Sequence, residues 1–382
     1  MKEKNKKIKV GITGQSGFMG THLYNYLGLK ESIARIPFCD EFFNDANKLD
    51  DFVQSCDIVV HLAAMNRHGD PQVIYDTNIK LVIDLIKACE RTESNPHIIF
   101  SSSSQENRDN LYGKSKKDGR RLFEKWADEN SAKFTAMVIP NVFGPFGNPY
   151  YNSVIATFSH QLTHGEKPEI QIDGELKLIY INELVQEFYK AVTNNIDGMT
   201  EENIKYYEVP HSSVSKVSEL LSVLLRFKKD YFELGIIPEI NNSFELALFN
   251  TFRCYMPLEK FPFLLKENID NRGSFVEVIK TNTSGQFSFS TTKPEITRGN
   301  HFHTRKIERF AVIKGKAKIE LRRIGTNEKV TYFLDDSQPS FVDMPIWYTH
   351  NIKNIGDTDL FTLFWINEPY NSTDSDTFYE IV

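Results

Sequence analysis

The chain has 382 residues, a size that suits two or three domains, with 40% hydrophobic, 13% aromatic and 25% charged residues and a formal net charge of −6. So much apolar and aromatic matter excludes a disordered chain, and the mild acidity lacks the basic footprint of a nucleic-acid binder. Cysteines 39, 56, 89 and 254 form no CxxC pair, which speaks against a disulfide framework or a thiolate zinc site and for a reducing compartment.

The opening MKEKNKK reads as a solvated tail without an apolar signal region. No apolar run nears the ~20 residues of a membrane span, so a cytoplasmic protein without membrane insertion is expected. IKVGITG (8–14) reads as a strand, followed by a glycine turn and the helical FMGTHLYNYL. SCDIVVHLAA (55–64), HIIFSSSS (97–104) and FTAMVIPNVFG (134–144) are further apolar runs, with helical patterns over 76–90 and 112–130. Apolar strands alternating with helices predict a parallel sheet covered on both faces. Residues 150–250, poor in glycine, read as mainly helical. The proline-bearing YMPLEKFPF (255–263) reads as a connection, dividing the chain into domains 1–255 and 256–382. Beyond it, SFVEVIKT, GQFSFSTT, ERFAVIKG, KAKIELRRI, VTYFLDD, PSFVDMP, THNIKN and LFTLFWI alternate with turns, the pattern of an all-β barrel or sandwich.

Two features of the first half carry chemistry. Thr13-Gly14-Gln15-Ser16-Gly17-Phe18-Met19-Gly20 joins the first strand to the first helix. Glycines there permit a tight turn and close approach of backbone to a pyrophosphate, which the helix N-terminus attracts. Tyr112 and Lys116 are four apart, hence on one helix face, so an ammonium there can lower the pKa of a phenol acting as general acid. Tyr26 and Lys30 share that spacing as a decoy, but Tyr112 alone follows a serine run, Ser101–Ser104, at a predicted strand end.

These motifs, with HLAA (61–64) and PNVFGP (140–145), resemble the extended short-chain dehydrogenase/reductase family, with its α/β Rossmann-type fold, over residues 8–250. The resemblance implies Ser103, Tyr112 and Lys116 as the catalytic set. It implies Thr13, Gly14, Gly17, Phe18, Met19, Gly20, Leu62, Ala63, Ala64, Asn78 and Lys116 as cofactor contacts. Arg35, with Phe38 and Asp40 nearby, falls where the family chooses its dinucleotide. A cation there favours NADP and an acid NAD; NADPH is the expected cofactor and NADH the alternative. Dehydratases of the family carry an acidic pair where this chain has Ser104 and Gln105, which leaves ketone reduction or 4-epimerisation. Ser103 and Tyr112 are only nine residues apart, so the loop between them is trimmed.

In the second half His301 and His303 alternate on a strand, Glu308 follows, and His350 stands on another predicted strand. Imidazoles with a carboxylate suit a divalent metal, zinc first, with manganese, iron or nickel open. HxHx₄E and PxWx₂Hx₃N (345–354) resemble the two motifs of the cupin (jelly-roll) family, and Trp347 replaces the usual glycine of the second. Asp270-Asn-Arg-Gly-Ser-Phe275 and Arg298-Gly-Asn-His301 resemble the nucleotide-sugar 3,5-epimerase cupins, whose histidine at that position is a general base. His301 cannot easily be both ligand and base; Lys280, Lys293 and Tyr348 are the other base candidates.

The order of the two halves resembles a family of bacterial capsular-polysaccharide enzymes, through HLA-x₂-NR (61–67), YNSVIATF (151–158), KPEITRGNHFH (293–303) and THNI-x-N-x-GDTD (349–359). That resemblance implies a homodimer acting on a UDP-linked 4-keto-6-deoxy-N-acetylhexosamine. The cupin would epimerise C3 of UDP-2-acetamido-2,6-dideoxy-L-arabino-hexos-4-ulose. The reductase domain would reduce C4 to UDP-2-acetamido-2,6-dideoxy-L-talose, on the way to UDP-N-acetyl-L-fucosamine. The alternatives are a monofunctional 4-ketosugar reductase with a structural or ligand-binding cupin, and a non-catalytic dinucleotide sensor.

Overall fold

The structure, a computed structural model, describes residues 7–194, 202–270, 273–276, 278–368 and 371–382, with the backbone alone at 268–270 and 273–275. The opening tail up to residue 6 therefore lies outside the described residues, as do Asn271 and Arg272 and the other side chains of the DNRGSF motif. The chain divides into two compact units, residues 1–143, 147–153 and 175–215, and residues 144–146, 154–174 and 216–382.

The first unit is a Rossmann-type α/β fold. Its strands are β1 (Ile8–Thr13), β2 (Ile33–Ile36), β3 (Ile58–His61), β4 (His97–Ser103), β5 (Phe134–Ile139), the short β6 (Asn141–Phe143), β7 (Glu175–Tyr180), β8 (Ile204–Glu208) and β9 (Ser213–Lys216). Six of them form a parallel sheet in the order β2-β1-β3-β4-β5-β8. The chain leaves β1 toward one edge and β3 continues toward the other, so a crevice opens beyond the carboxyl ends of β1 and β3, where such sheets bind ligands. Helices α1 (Phe18–Gly28), α2 (Ala46–Gln54), α3 (Pro71–Arg91), α4 (Leu111–Glu129) and α6 (Ile181–Val192) belong to this unit, while α5 (Val154–Thr163) belongs to the other. Leu49, Phe52 and Val53 of α2, Val82 and Leu85 of α3 and Phe123 and Trp126 of α4 bury one apolar stripe each in a shared core with Val59, Ile98 and Phe134.

Two helix starts explain themselves. Asp70 caps α3 by accepting from Gln72 N–H at 2.9 Å, ahead of Pro71 in the first turn. Asn110 caps α4 by accepting from Gly113 N–H at 2.7 Å, which puts Tyr112 and Lys116 in the opening turns of that helix.

The second unit is an all-β jelly roll with added helices. Strands β10 (Phe263–Leu264), β18 (Ser340–Met344), β15 (Glu308–Lys314), β20 (Leu360–Ile366) and β13 (Gln286–Thr292) form one antiparallel sheet. The other holds β17 (Lys329–Asp335), β16 (Lys316–Arg323), β19 (Tyr348–Asn354), β14 (Thr297–Phe302) and β21 (Phe378–Tyr379). A hairpin of β11 (Glu267–Asp270) and β12 (Gly273–Val276) lies between β10 and β13 in the chain. Among the helices, α7 (Val217–Phe227), a π-helical turn (Lys228–Glu233) and α8 (Ser243–Arg253) pack with α5. These helical residues lie before the sequence boundary at 256 yet fall in the second unit.

The expected runs became strands, and the described residues of 150–250 are mainly helical, through α5, α6, α7, the π-helical turn and α8, with strands set between them. ELKLIY and IKYYE form β7 and β8 there, because alternating aliphatic and aromatic residues suit a half-buried strand whether or not glycines are scarce.

The second unit also buries a full ion pair. Arg309 on β15 grips Asp343 on β18 through two hydrogen bonds, Nε at 2.7 Å and Nη2 at 2.9 Å, and donates to the Gly235 carbonyl at 2.8 Å. The Tyr231 hydroxyl donates to the same carboxylate at 2.5 Å. Removing one partner strands a buried charge, so Asp343→Ala is expected to destabilise this unit by about 3–5 kcal/mol. Thermal unfolding followed by tryptophan fluorescence should show the lower midpoint; an unchanged midpoint would contradict the assignment.

Candidate functional site

The glycine turn forms as expected. Gly14 sits at φ +68°, and a Cβ on Gly20 would meet the Gly14 carbonyl oxygen at 2.1 Å. Gly17 N–H donates to that carbonyl at 3.1 Å, and α1 then opens at Phe18 with no acidic side chain in its first turn. The first-turn N–H groups at Phe18, Met19 and Gly20 are those a helix leaves without intrahelical partners, and the positive end of the helix is not neutralised. The turn is also tied to the end of β2. Phe38 N–H donates to Gln15 Oε1 at 3.2 Å, and Ser16 Oγ donates to Asp40 Oδ2 at 2.9 Å.

Other expected cofactor contacts are placed differently. The Thr13 hydroxyl is buried and bonded to His61 Nδ1 at 2.8 Å, joining the ends of β1 and β3. Leu62 is buried, with its N–H on the Thr13 carbonyl at 3.2 Å, while Ala63 and Ala64 are half-buried at the crevice. Arg35 is bound elsewhere: it donates to the Tyr24 carbonyl at 3.0 Å and lies 4.2 Å over the Tyr24 ring. Asp40, not Arg35, is the charged group beside the glycine turn. Asn78 is buried in mid-helix α3, where its amide receives Met65 N–H at 2.7 Å and donates to the Met65 carbonyl and Ser115 Oγ, both at 3.0 Å. It thus braces the loop after β3 against α4.

The structure gathers Ser103, Tyr112 and Lys116. Ser103 ends β4, its hydroxyl accepts Gln105 N–H at 3.2 Å, and its side chain is near enough to the Tyr112 phenol to hold the phenol's pKa down. Lys116 is buried and donates to the Ser101 carbonyl at 3.0 Å, with Nζ 5.9 Å from the Tyr112 ring centre. Burial lowers Lys116 to about 8. The expected depression of the phenol is not met: burial raises Tyr112 to about 12, and the nearby Ser103 opposes this only in part. The reason is that the ammonium faces a backbone carbonyl rather than the phenol oxygen. The decoy pair instead packs Lys30 4.5 Å over the Tyr26 ring and 5.0 Å over Tyr189.

Sequence reading passed over two neighbours of this set. Glu106 is buried, receives the Ser102 hydroxyl, and is held by Arg120 Nε and Nη2 at 3.0 Å each. An acid beyond Ser104 and Gln105 is therefore present but engaged by a guanidinium. Arg67, of the HLA-x₂-NR motif, donates to the carbonyls of Tyr150 and Tyr151, and Asn66 N–H donates to the Tyr151 hydroxyl at 3.3 Å. No local pattern marks either contact, because each joins segments distant in sequence.

In the second unit His301, His303, Glu308 and His350 converge, with their ligand atoms all within 4.8 Å of one another. His301 is on β14, His303 one residue past it, Glu308 at the start of β15 on the facing sheet, and His350 on β19. The His303 Nδ1–H donates to the Asp376 carbonyl at 2.5 Å, and the His350 Nδ1–H to the Tyr348 carbonyl at 3.3 Å. Those bonds turn the Nε2 atoms inward. His303 Nε2 lies 3.1 Å from Glu308 Oε2. His350 Nε2, buried, lies 3.0 Å from the same oxygen without the alignment of a hydrogen bond. Several lone pairs aimed at one point with a buried, unmatched nitrogen fit a divalent cation. Burial alone would raise Glu308, but the neighbouring His303 and His350 hold it well below the usual carboxylate range. Burial and then His350 lower His301 to about 4. Lys280 and Lys293 are exposed; Tyr348 is half-buried, and burial raises its phenol to about 12.

Comparison with known proteins agrees with both halves. Residues 10–204 match the NAD dependent epimerase/dehydratase family and residues 268–378 the polysaccharide biosynthesis C-terminal domain. The chain belongs to the NAD dependent epimerase/dehydratase family, as a Rossmann-type unit joined to an all-β unit. Among its relatives, the capsular polysaccharide assembling protein CapF of Staphylococcus aureus is 33% identical, with a TM-score of 0.62 covering 98% of this chain and 100% of that one. The UDP-2-acetamido-2,6-beta-L-arabino-hexul-4-ose reductase of Pseudomonas aeruginosa is 32% identical over 97% of this chain and 98% of its own. Spore coat polysaccharide biosynthesis protein SpsL of Bacillus subtilis is 22% identical over 29% of this chain and 81% of its own. Among the described residues, no helix is long and apolar enough to cross a membrane.

The close approach at Gly20 gives a direct test. Gly20→Ala puts a methyl group against the Gly14 carbonyl and should weaken nicotinamide dinucleotide binding at least tenfold by fluorescence titration. Wild-type affinity in that variant would remove the turn from the binding site.

Proposed function

We propose that this chain acts twice on one UDP-linked 2-acetamido-2,6-dideoxyhexos-4-ulose, epimerising C3 in the cupin unit and reducing the C4 ketone in the Rossmann-type unit. The carrying observation is the near full-length likeness to a reductase named for such a ketosugar, with Ser103, Tyr112 and Lys116 gathered at the end of β4. The product of the L-arabino ketosugar would be UDP-2-acetamido-2,6-dideoxy-L-talose, a precursor of UDP-N-acetyl-L-fucosamine for surface polysaccharide.

At C3, a proton next to a ketone is acidic because the carbanion delocalises onto oxygen. It leaves one face of the ring and returns on the other. His301, His303, Glu308 and His350 would hold a divalent metal, zinc fitting an imidazole-rich set best, and the metal would supply Lewis acidity toward the carbonyl oxygen. His301 then serves as ligand, and Tyr348, half-buried and two residues before His350, is better placed for proton transfer than the exposed lysines.

At C4, bound NADPH would supply hydride. Tyr112 donates its phenolic proton to the emerging alkoxide, Ser103 hydrogen-bonds the same oxygen, and Lys116 keeps a positive charge near the phenol as it ionises. Reduction removes the ketone and so ends C3 acidity, which sets the order as epimerisation first. The acid–base pair of a dehydratase is missing, since Glu106 is bound to Arg120. The working form we propose is a cytoplasmic homodimer; edge strand β13, which exposes Phe287 and Phe289, is a surface suited to a second copy.

The test supplies the ketosugar in D₂O with NADPH. Wild type should place deuterium at C3 and oxidise NADPH. Tyr112→Phe should slow NADPH oxidation by ~10²–10⁴-fold and leave the exchange intact. A combined His301→Ala and His350→Ala variant should lose exchange; unchanged turnover there would favour a monofunctional reductase with a structural cupin. The kcat/KM for reduction should also fall as pH rises through about 8, where Lys116 loses its proton. A profile level for a further pH unit would contradict that role.

A further inference from the structure

Among the described residues, the acid most heavily engaged by backbone N–H groups is not one that sequence singled out. Asp376 is buried, at φ +42°, near the end of the chain. Its Oδ1 receives Thr304 N–H at 3.0 Å and the Thr304 hydroxyl at 2.6 Å. Its Oδ2 receives the N–H groups of Arg305 and Lys306, both at 3.0 Å. Its carbonyl receives the His303 Nδ1–H at 2.5 Å. One residue therefore gathers three successive N–H groups of the loop 304–306 while orienting the imidazole at the head of that loop. Glu308 follows after Ile307.

The surroundings hold Asp376 in place. The Lys306 ammonium donates to the Ser375 carbonyl at 2.6 Å, and Glu380 N–H donates to the Asn300 carbonyl at 2.9 Å. β21 pairs with β14 at His301 and Phe302, and Phe378 stacks on Phe302 with ring centres 5.4 Å apart. The segment 374–380 thus runs along the strand bearing His301 and past the loop separating His303 from Glu308.

Resting on the metal reading above, we infer that Asp376 is the positioning residue of the histidine–carboxylate cluster. Its carbonyl fixes the His303 tautomer with Nε2 facing the ion. Its carboxylate fixes the loop that sets the separation of His303 and Glu308. It acts through those two ligands. Outer partners of metal-bound histidines typically contribute 10–100-fold to metal affinity, so a loss on the order of tenfold or more is the scale to expect.

The experiment uses the full chain and zinc alone, with affinity read by competition against a chromophoric chelator, and cobalt(II) substitution read by visible absorption. Asp376→Ala should bind zinc on the order of 10–100-fold more weakly and show a changed cobalt spectrum. Asp376→Asn keeps one acceptor for Thr304 but turns an amide toward the other N–H groups, so it should fall between Ala and wild type; it also serves if the Ala variant does not fold. Glu368→Gln removes a carboxylate that pairs with Arg305 Nη2 at 3.1 Å and lies 4.0 Å from the Lys306 ammonium, leaves every Asp376 contact in place, and should keep wild-type affinity and spectrum. Wild-type affinity and spectrum in both Asp376 variants would overturn the inference and leave the metal reading standing. An equal loss in Glu368→Gln would overturn it too, by tracing the effect to the loop in general. Wild-type protein that binds no zinc would overturn the metal reading itself, and this inference with it.

Discussion

A polar or charged group drawn into a protein interior must find a partner there, and both candidate sites consist of groups held under that constraint. In the Rossmann-type unit the Lys116 ammonium is buried and faces the Ser101 carbonyl. The Ser101 hydroxyl in turn donates to the His61 carbonyl at 3.1 Å, and His61 is bonded to Thr13 at the end of β1. That chain of bonds ties the ends of three adjacent strands together under the crevice. In the cupin unit, buried imidazoles surround one carboxylate, an arrangement that a shared cation satisfies better than the ring hydrogens alone.

The same constraint separates what was legible in the sequence from what was not. The glycine turn was legible because its reason is local: backbone must pass close to backbone within a few residues. HxHx₄E was legible because strand alternation and a short loop bring those residues together. Asp376 was hidden because its partners lie some seventy residues away and no local pattern around it marks a contact. The contacts of Arg35 were hidden for a similar reason. A charge near a strand end can point along the strand or into the crevice, and only the Tyr24 ring and carbonyl decide it. The phenol of Tyr112 was misread because spacing places Lys116 on the right helix face without saying which atom its ammonium meets.

Chemistry gives the fusion of the two units a rationale. Epimerisation is reversible and leaves a mixture of ketosugars, whereas hydride transfer to one epimer draws the mixture forward. A chain with both proposed activities would couple the reversible step to the committing one. In the Rossmann-type unit, the carboxylate nearest the serine run, Glu106, is held by Arg120.

Double labelling interrogates the account most directly. The ketosugar is turned over in D₂O with protio-NADPH, and separately in H₂O with NADPH deuterated at the transferring hydride, and the products are read by NMR. The account predicts solvent deuterium at C3 in the first product and nicotinamide deuterium at C4 in the second. A reduced sugar labelled at C4 in the second run but retaining its original C3 hydrogen in the first would contradict it.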